Sequence, residues 1–261
     1  MTYFIGYLKQ RFKSKAFTVI FAVYVLACVS SAVYWCVDFE LRNLLLSLLY
    51  ALIALVVPIA EYIIKFKCGS LFVGAVLFLA LGGLSGSCFN LYTIIPFFDT
   101  LLHGLSGVLF ACVGFALSVR FFGKADKVKT FFGHLVFALC FSLAIAVLWE
   151  IFEYVCTLLV GADMMEDTIV NKINSYLLAG SHTETVTIDG ITKTVIYYGE
   201  GKTYTINGYL DLGLIDTLID MIICTVGAVA FALVATVSRF KFPRVNEILI
   251  PQPFVDGEKL D

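Results

Sequence analysis

The sequence predicts an all-α polytopic membrane protein with six transmembrane helices and a small β-hairpin cap on the outer side between helices five and six. Three observations carry that fold class. Hydrophobic residues make up 60% of the 261 positions and charged residues only 15%, with mean hydropathy +0.93. An ordinary soluble domain is roughly 45–50% apolar and about a quarter charged. The apolar residues gather in runs of about 20, the length that crosses a hydrocarbon core of roughly 30 Å. Lys and Arg sit in short blocks between those runs, and the formal net charge of −2 conceals that arrangement.

Read in order, residues 1–16 form a basic arm. Spans follow at 17–37, 43–64, 69–89, 99–119 and 131–157, which makes 1–157 the block of helices one to five. The first apolar run continues past Ser30-Ser31-Ala32, a stretch suited to leader cleavage, so it reads as a retained span. Residues 158–212 form the one long connection, 213–238 the sixth span, and 239–261 a tail.

Positive-inside counting sets the orientation. Lys9, Arg11, Lys13 and Lys15 lie in the arm, Lys65 and Lys67 between spans two and three, and Arg120, Lys124, Lys127 and Lys129 between four and five. Arg239, Lys241, Arg244 and Lys259 lie in the tail, and of the 18 Lys and Arg only Arg42, Lys172, Lys193 and Lys202 fall on the opposite sides. Both termini are therefore expected in the cytoplasm of a bacterial-type cell, with the spans in its plasma membrane in contact with lipid.

The connection at 158–212 has two halves. GADMMEDTIVNKINSYLLAG reads as an interfacial segment or short helix. The second half alternates apolar and polar residues and carries Asp189-Gly190, Gly199-Glu200-Gly201 and Asn207-Gly208. Such turns between β-rich runs predict hairpins, TVTI with ITKT and VIYY with KTYTI. Long ordered connections often act as functional lids.

Composition excludes some classes. The eight Cys lie almost wholly in apolar runs with no CxxC or Cys/His spacing, so they read as small buried hydrophobes. The basic blocks hug the spans and have a topological explanation, which leaves no nucleic-acid signature.

The polar residues inside the spans carry the functional signal. Asp99-Thr-Leu-Leu-His103 and Asp216-Thr-Leu-Ile-Asp220 share one pattern, and each opens an apolar run. In a helix, positions i and i+4 lie on one face. Spans four and six run outside to inside, so both pairs lie in their outer thirds. Span five runs inside to outside and places Glu150 and Glu153, at i and i+3, near the same boundary. Glu61 and His134 fall near the inner face, apart from this set.

Each residue has a bland reading. Asp99 and Asp216 would serve as N-caps, His103 as a satisfied core histidine, and Glu150 and Glu153 as headgroup-level carboxylates. Asp220 resists, because a charge at the centre of a span costs roughly 2.5–3.5 kcal/mol on insertion scales. Five carboxylates and one imidazole at one depth raise each other's pKa until protons or a cation compensate. Carboxylate-rich ligation with one imidazole suits a divalent cation, Mg²⁺, Mn²⁺ or Ca²⁺, with Zn²⁺ admitted if His103 binds. Asp99, His103, Glu150 and Asp220 are the candidate ligands, and Glu153 and Asp216 the candidate catalytic bases. Gly82, Gly83, Gly104, Ser106, Gly107, Gly227 and Ala228 predict close helix packing nearby.

The blocks FFDTLLHGLSGVLFACVGF, LWEIFEY, GADMMEDTIVN and GYLDLGLIDTLIDMIICTVGA resemble the bacterial membrane-spanning family that includes YjdF, over roughly residues 90–230. More distantly the layout is similar to VanZ-like membrane proteins, which pair an Asp-x-x-His helix with a Glu helix and a later Asp-rich helix. Glu153 and Asp220 depart from that second pattern, where Gln and Asn are usual. The resemblance implies that Asp99, His103, Glu150, Glu153, Asp216 and Asp220 form the site, and it draws in Asp163, Glu166 and Asp167 without a role. It brings no assigned activity.

Three function classes follow. In the first, a cation activates water or polarises a phosphoryl or acyl group of a lipid-linked or cell-envelope substrate. Sparse outer Lys and Arg and the lack of an activated nucleophile weigh against it. In the second, the cluster trades protons or ions across the membrane, although no relay reaches the inner side and the two Asp-Thr-Leu helices run in the same direction, unlike inverted repeats. In the third, the protein is a non-catalytic envelope component with a structural metal site.

Overall fold

Among the described residues, six helices are long and apolar enough to cross a membrane: Lys15–Val37, Leu41–Ile64, Ser70–Phe89, Phe98–Phe122, Val128–Val160 and Leu214–Lys241. The structure is a computed structural model, and it describes residues 2–123, 127–242 and 252–253. Lys124, Arg244 and Lys259 of the positive-inside count lie outside the described residues. The chain divides into two compact units, residues 1–146 with 221–261, and residues 147–220.

In the first unit a short helix α1 (Thr2–Arg11) precedes α2 (Lys15–Val37), the first span. The second span is two helices, α3 (Leu41–Ile53) and α4 (Val56–Ile64). Pro58 explains the break. It has no N–H for the Ala54 carbonyl and its ring crowds that carbonyl. The chain answers with two tighter turns, Ala54 N–H to Ala51 O at 3.3 Å and Leu55 N–H to Leu52 O at 3.0 Å.

Lys65 then adopts a left-handed conformation (φ 62), and the strand β1 (Phe66–Lys67) leads to α5 (Ser70–Phe89). After the turn α6 (Leu91–Ile94) come the long helices α7 (Phe98–Phe122) and α8 (Val128–Val160), the last of which belongs to this unit up to Ala146. The sixth span, α10 (Leu214–Lys241), returns to this unit from Met221 onward.

The core of this unit is one cluster that includes Phe17, Tyr24, Val73, Leu77, Cys112, Phe115, Phe131, Ala138, Ala228 and Phe231. Residues that point outward from the spans are also apolar, Val19, Leu26, Val33, Leu45 and Leu52 among them, as expected where the surrounding solvent is lipid.

At one end of this unit three segments meet. Arg11 of α1 reaches the Cys68 carbonyl beside β1 at 3.0 Å, and β1 pairs antiparallel with β8 (Gln252–Pro253), Phe66 opposite Pro253 and Lys67 opposite Gln252. The N-terminal helix and the tail thus meet at the connection between spans two and three.

The second unit holds the connection between spans five and six, built as three two-stranded antiparallel sheets. β2 (Thr168–Val170) pairs with β7 (Tyr209–Asp211), β3 (Lys172–Ser175) with β4 (Val186–Asp189), and β5 (Thr194–Tyr198) with β6 (Lys202–Ile206). The Gly199-Glu200-Gly201 hairpin is as the sequence predicts. Two expectations differ. The Asp189-Gly190 turn does not close a hairpin, because β4 pairs back onto β3 and β5 goes forward to β6. The segment expected to be an interfacial helix keeps only one helical turn, α9 (Tyr176–Ala179). Its residues on either side of Asn171 alternate in exposure and are taken up as strands, so pairing partners later in the chain override local helical tendency.

Candidate functional site

The site is carried by α7 and α10. Asp99 is the second residue of α7 and Asp216 the third of α10, so neither is an N-cap. Phe97 occupies the position before α7, in a left-handed conformation (φ 63) and with no side-chain capping bond. At the start of α10 the acceptor is Asp211, whose Oδ2 receives the Ile215 N–H at 2.8 Å. Asp99 and Asp216 stand in the first turns, where the positive end of the helix dipole favours a carboxylate.

What brings the helices together is the absence of side chains. A Cβ added at Gly107 would overlap the Cys224 carbonyl, and one added at Gly227 would overlap the Gly104 carbonyl. With glycine at both places the backbones touch, as small residues permit in membrane helices. Ser142 of α8 adds a hydrogen bond to the Gly107 carbonyl at 3.0 Å. One turn from that contact on α7 is His103; one turn from Cys224 on α10 is Asp220.

Asp99, His103 and Asp220 each offer a ligand atom, and these atoms all lie within 4.8 Å of one another. His103 Nε2 is 3.4 Å from Asp99 Oδ2. The other ring nitrogen meets sulfur, with Cys224 Sγ 3.8 Å from His103 Nδ1. Neither helix carries Lys or Arg near this depth; Arg120 ends α7, and Arg239 and Lys241 end α10. Two carboxylates and an imidazole at this spacing form a donor set that fits a divalent cation.

The outward-facing cluster expected from the sequence is corrected here: the cluster is buried. His103 is 8% exposed and Asp220 1%, and only Asp99 is more open, its side chain 28% exposed. The physical reason is the glycine contact, which closes α10 over the ring of His103.

The other expected residues fall outside that three-residue grouping. Glu150 and Glu153 are buried on α8, 6% and 7% exposed, and Trp149 Nε1 donates to Glu153 Oε1 at 2.8 Å. Asp216 is half-buried. Asp163, Glu166 and Asp167 belong to the loop of the second unit. There the Asp167 carboxyl is pushed above the usual carboxylate range, first by partial burial and then by Asp163 and Asp211.

Glu61 and His134 are held by other partners. Glu61 receives Tyr7 OH, Arg11 and the Cys68 N–H, and His134 Nδ1 is hydrogen-bonded to Ser118. Sequence reasoning missed Cys224, although it follows Asp216 and Asp220 at intervals of four and so shares their face.

A family model described as "Predicted membrane protein (DUF2238)" matches residues 16–241, which spans all six helices and the loop. The chain belongs to the DUF2238 family. No curated protein and no solved structure matches it. The DUF2238 description agrees with the fold and assigns no chemistry, so the reading of the site rests on its residues.

Proposed function

We propose that this DUF2238 protein is a divalent-cation-dependent hydrolase or transferase that acts on a lipid-linked or cell-envelope substrate. The observation that supports it is the convergence of Asp99, His103 and Asp220 within 4.8 Å on helices that bring no Lys or Arg to that depth. Asp220 is buried and Asp99 partly exposed; two carboxylates and an imidazole at this spacing suit a divalent cation, and a cation held there would acidify a bound water and polarise a phosphoryl or acyl oxygen. In this reading Glu150 is a further ligand, and Glu153 or Asp216 takes the proton from the water.

The distribution of Lys and Arg supports cytoplasmic termini in a bacterial-type plasma membrane, with the site in the outer half of the bilayer. The likeness of the sequence blocks to YjdF-like and VanZ-like proteins supports the same residue set.

The alternative is a cation- or proton-coupled transporter, favoured by one observation, the burial of His103 and Asp220. Against it, Glu61 and His134 have their own partners and offer no continuation of a relay toward the other face.

The test is the metal content of detergent-purified protein by mass spectrometry, for wild type, His103→Ala and Asp220→Asn, followed by assays on lipid-phosphate and acyl substrates with and without chelator. A stoichiometric divalent ion lost in both variants, with chelator-sensitive turnover, is the expected result. A well-folded wild type without metal would remove the metal-hydrolase reading.

A further inference from the structure

From the sequence alone Cys224 reads as a small buried hydrophobe; its contacts give it a polar role. Its Sγ lies 3.2 Å from the His103 carbonyl oxygen, 3.8 Å from His103 Nδ1 and 3.4 Å from Ser106 Oγ. Ser106 itself donates to the same carbonyl at 2.8 Å. Cys224 is 4% exposed, and the flush contact between the Gly107 position and the Cys224 carbonyl fixes the sulfur against the ring.

We propose that Cys224 is a positioning residue: it accepts the Nδ1–H of His103 and thereby presents Nε2, the nitrogen beside Asp99, to the cation. This rests on the cation-site reading above. An imidazole nitrogen that binds a cation cannot carry a proton, so the proton must sit on the other nitrogen, and its acceptor orients the ring. Nε2 faces Asp99 at 3.4 Å, and Nδ1 faces the thiol. The thiol serves in both directions at once. Its lone pair accepts from Nδ1–H, while its own S–H is satisfied by the His103 carbonyl. The carbonyl, the ring and the sulfur close a loop that holds one tautomer and one rotamer. A carboxylate in that place would add a third negative charge to the buried cluster, whereas a neutral thiol adds none.

Two measurements test it, with Zn²⁺ as a diamagnetic probe. The first is the ¹⁵N NMR spectrum of histidine-labelled wild type with and without Zn²⁺. The chain has three histidines, so His103 is assigned by difference against His134→Gln and His182→Gln. The second is Zn²⁺ affinity of wild type, Cys224→Ser and Cys224→Ala, with melting temperature as the check on folding.

The expected result is a loaded His103 protonated on Nδ1, and affinity lowered about 10–100-fold in Cys224→Ala, the usual effect of losing a partner behind a metal ligand. Cys224→Ser is expected to fall between, since a hydroxyl can also accept and donate but reaches less far. Wild-type affinity in Cys224→Ala, or Zn²⁺ on Nδ1, would overturn the role of Cys224 and leave the cation site standing. No Zn²⁺ binding by wild type would overturn the cation reading and this proposal together. The tautomer is read in wild type, so a poorly folded variant does not remove the test.

Discussion

Glu61 and the cluster of Asp99, His103 and Asp220 place carboxylates within the helical core in two different settings. Around Glu61 the compensation is internal. Arg11 lies 3.0 Å from Oε1, the Cys68 N–H 2.7 Å from Oε1, and Tyr7 OH 2.7 Å from Oε2. Around His103 two carboxylates, Asp99 and Asp220, converge on helices that bring no Lys or Arg to that depth. A charge in low dielectric persists only when it is paired and hydrogen-bonded. Glu61 meets that condition with two side chains and a backbone N–H. The second setting has a donor set that a cation would complete, which is the arrangement expected of a site.

The largest expected effect lies in the self-compensated cluster. Glu61→Ala leaves Arg11 buried, 3% exposed, without its carboxylate, and breaking such a pair typically costs about 3–5 kcal/mol. Thermal unfolding in detergent is expected to show a large drop in melting temperature, with much of it recovered in Arg11→Met/Glu61→Leu. A small drop for Glu61→Ala would show that the pair is solvated rather than structural.

Next comes the response to cation. A ligand that binds only the folded state at a hundred times its Kd stabilises by about 2.7 kcal/mol. Added divalent ion is expected to raise the melting temperature of wild type and leave Asp220→Asn unmoved. Metal-dependent stabilisation of Glu61→Gln should match wild type, which would separate the two clusters cleanly.

A smaller effect tests the contact that brings α7 and α10 together. Gly107→Ala must push its new Cβ against the Cys224 backbone carbonyl, and overpacking of this kind costs about 1–3 kcal/mol. The displacement should also weaken cation binding, since it separates His103 from Asp220. Gly133→Ala on α8, where a Cβ would meet nothing within 4 Å, is the control expected to leave both quantities unchanged.

The smallest effect is one of pH, outside the membrane. The folded-state pKa of Asp167 is raised by burial and by Asp163 and Asp211, so folding favours its protonated form. The stabilisation is present at acidic pH and is lost as pH rises from the ordinary carboxylate value through the raised folded one. Amide exchange in β2 and β7 is therefore expected to show slightly stronger protection in mild acid, after correction for intrinsic rates. Asp167→Asn should flatten that dependence; an unchanged profile would place its cause elsewhere.

Legibility in the sequence follows locality. The six spans, the candidate residues Asp99, His103 and Asp220, and the Gly199–Gly201 hairpin were legible because each is a local property: run length, helical spacing, turn chemistry. The pairing of β4 with β3 was not legible, because the Asp189-Gly190 turn is compatible with either neighbour and only the available strand partners decide. Nor was the status of Glu61. Its helix shows an isolated carboxylate, and the residue that neutralises it lies in a separate helix near the N-terminus.

What the sequence by itself determined is the membrane architecture and the inventory of polar side chains within it. Hydrocarbon imposes on every helix a length and an apolar composition that need no knowledge of neighbours. What only the tertiary structure decided is which of those polar side chains meet. Glycines at 107 and 227 let two backbones touch, and that contact closes the cluster, buries Asp220 and sets Cys224 behind His103. Spacing along one helix specifies a face. Which face it meets depends on packing between segments more than a hundred residues apart.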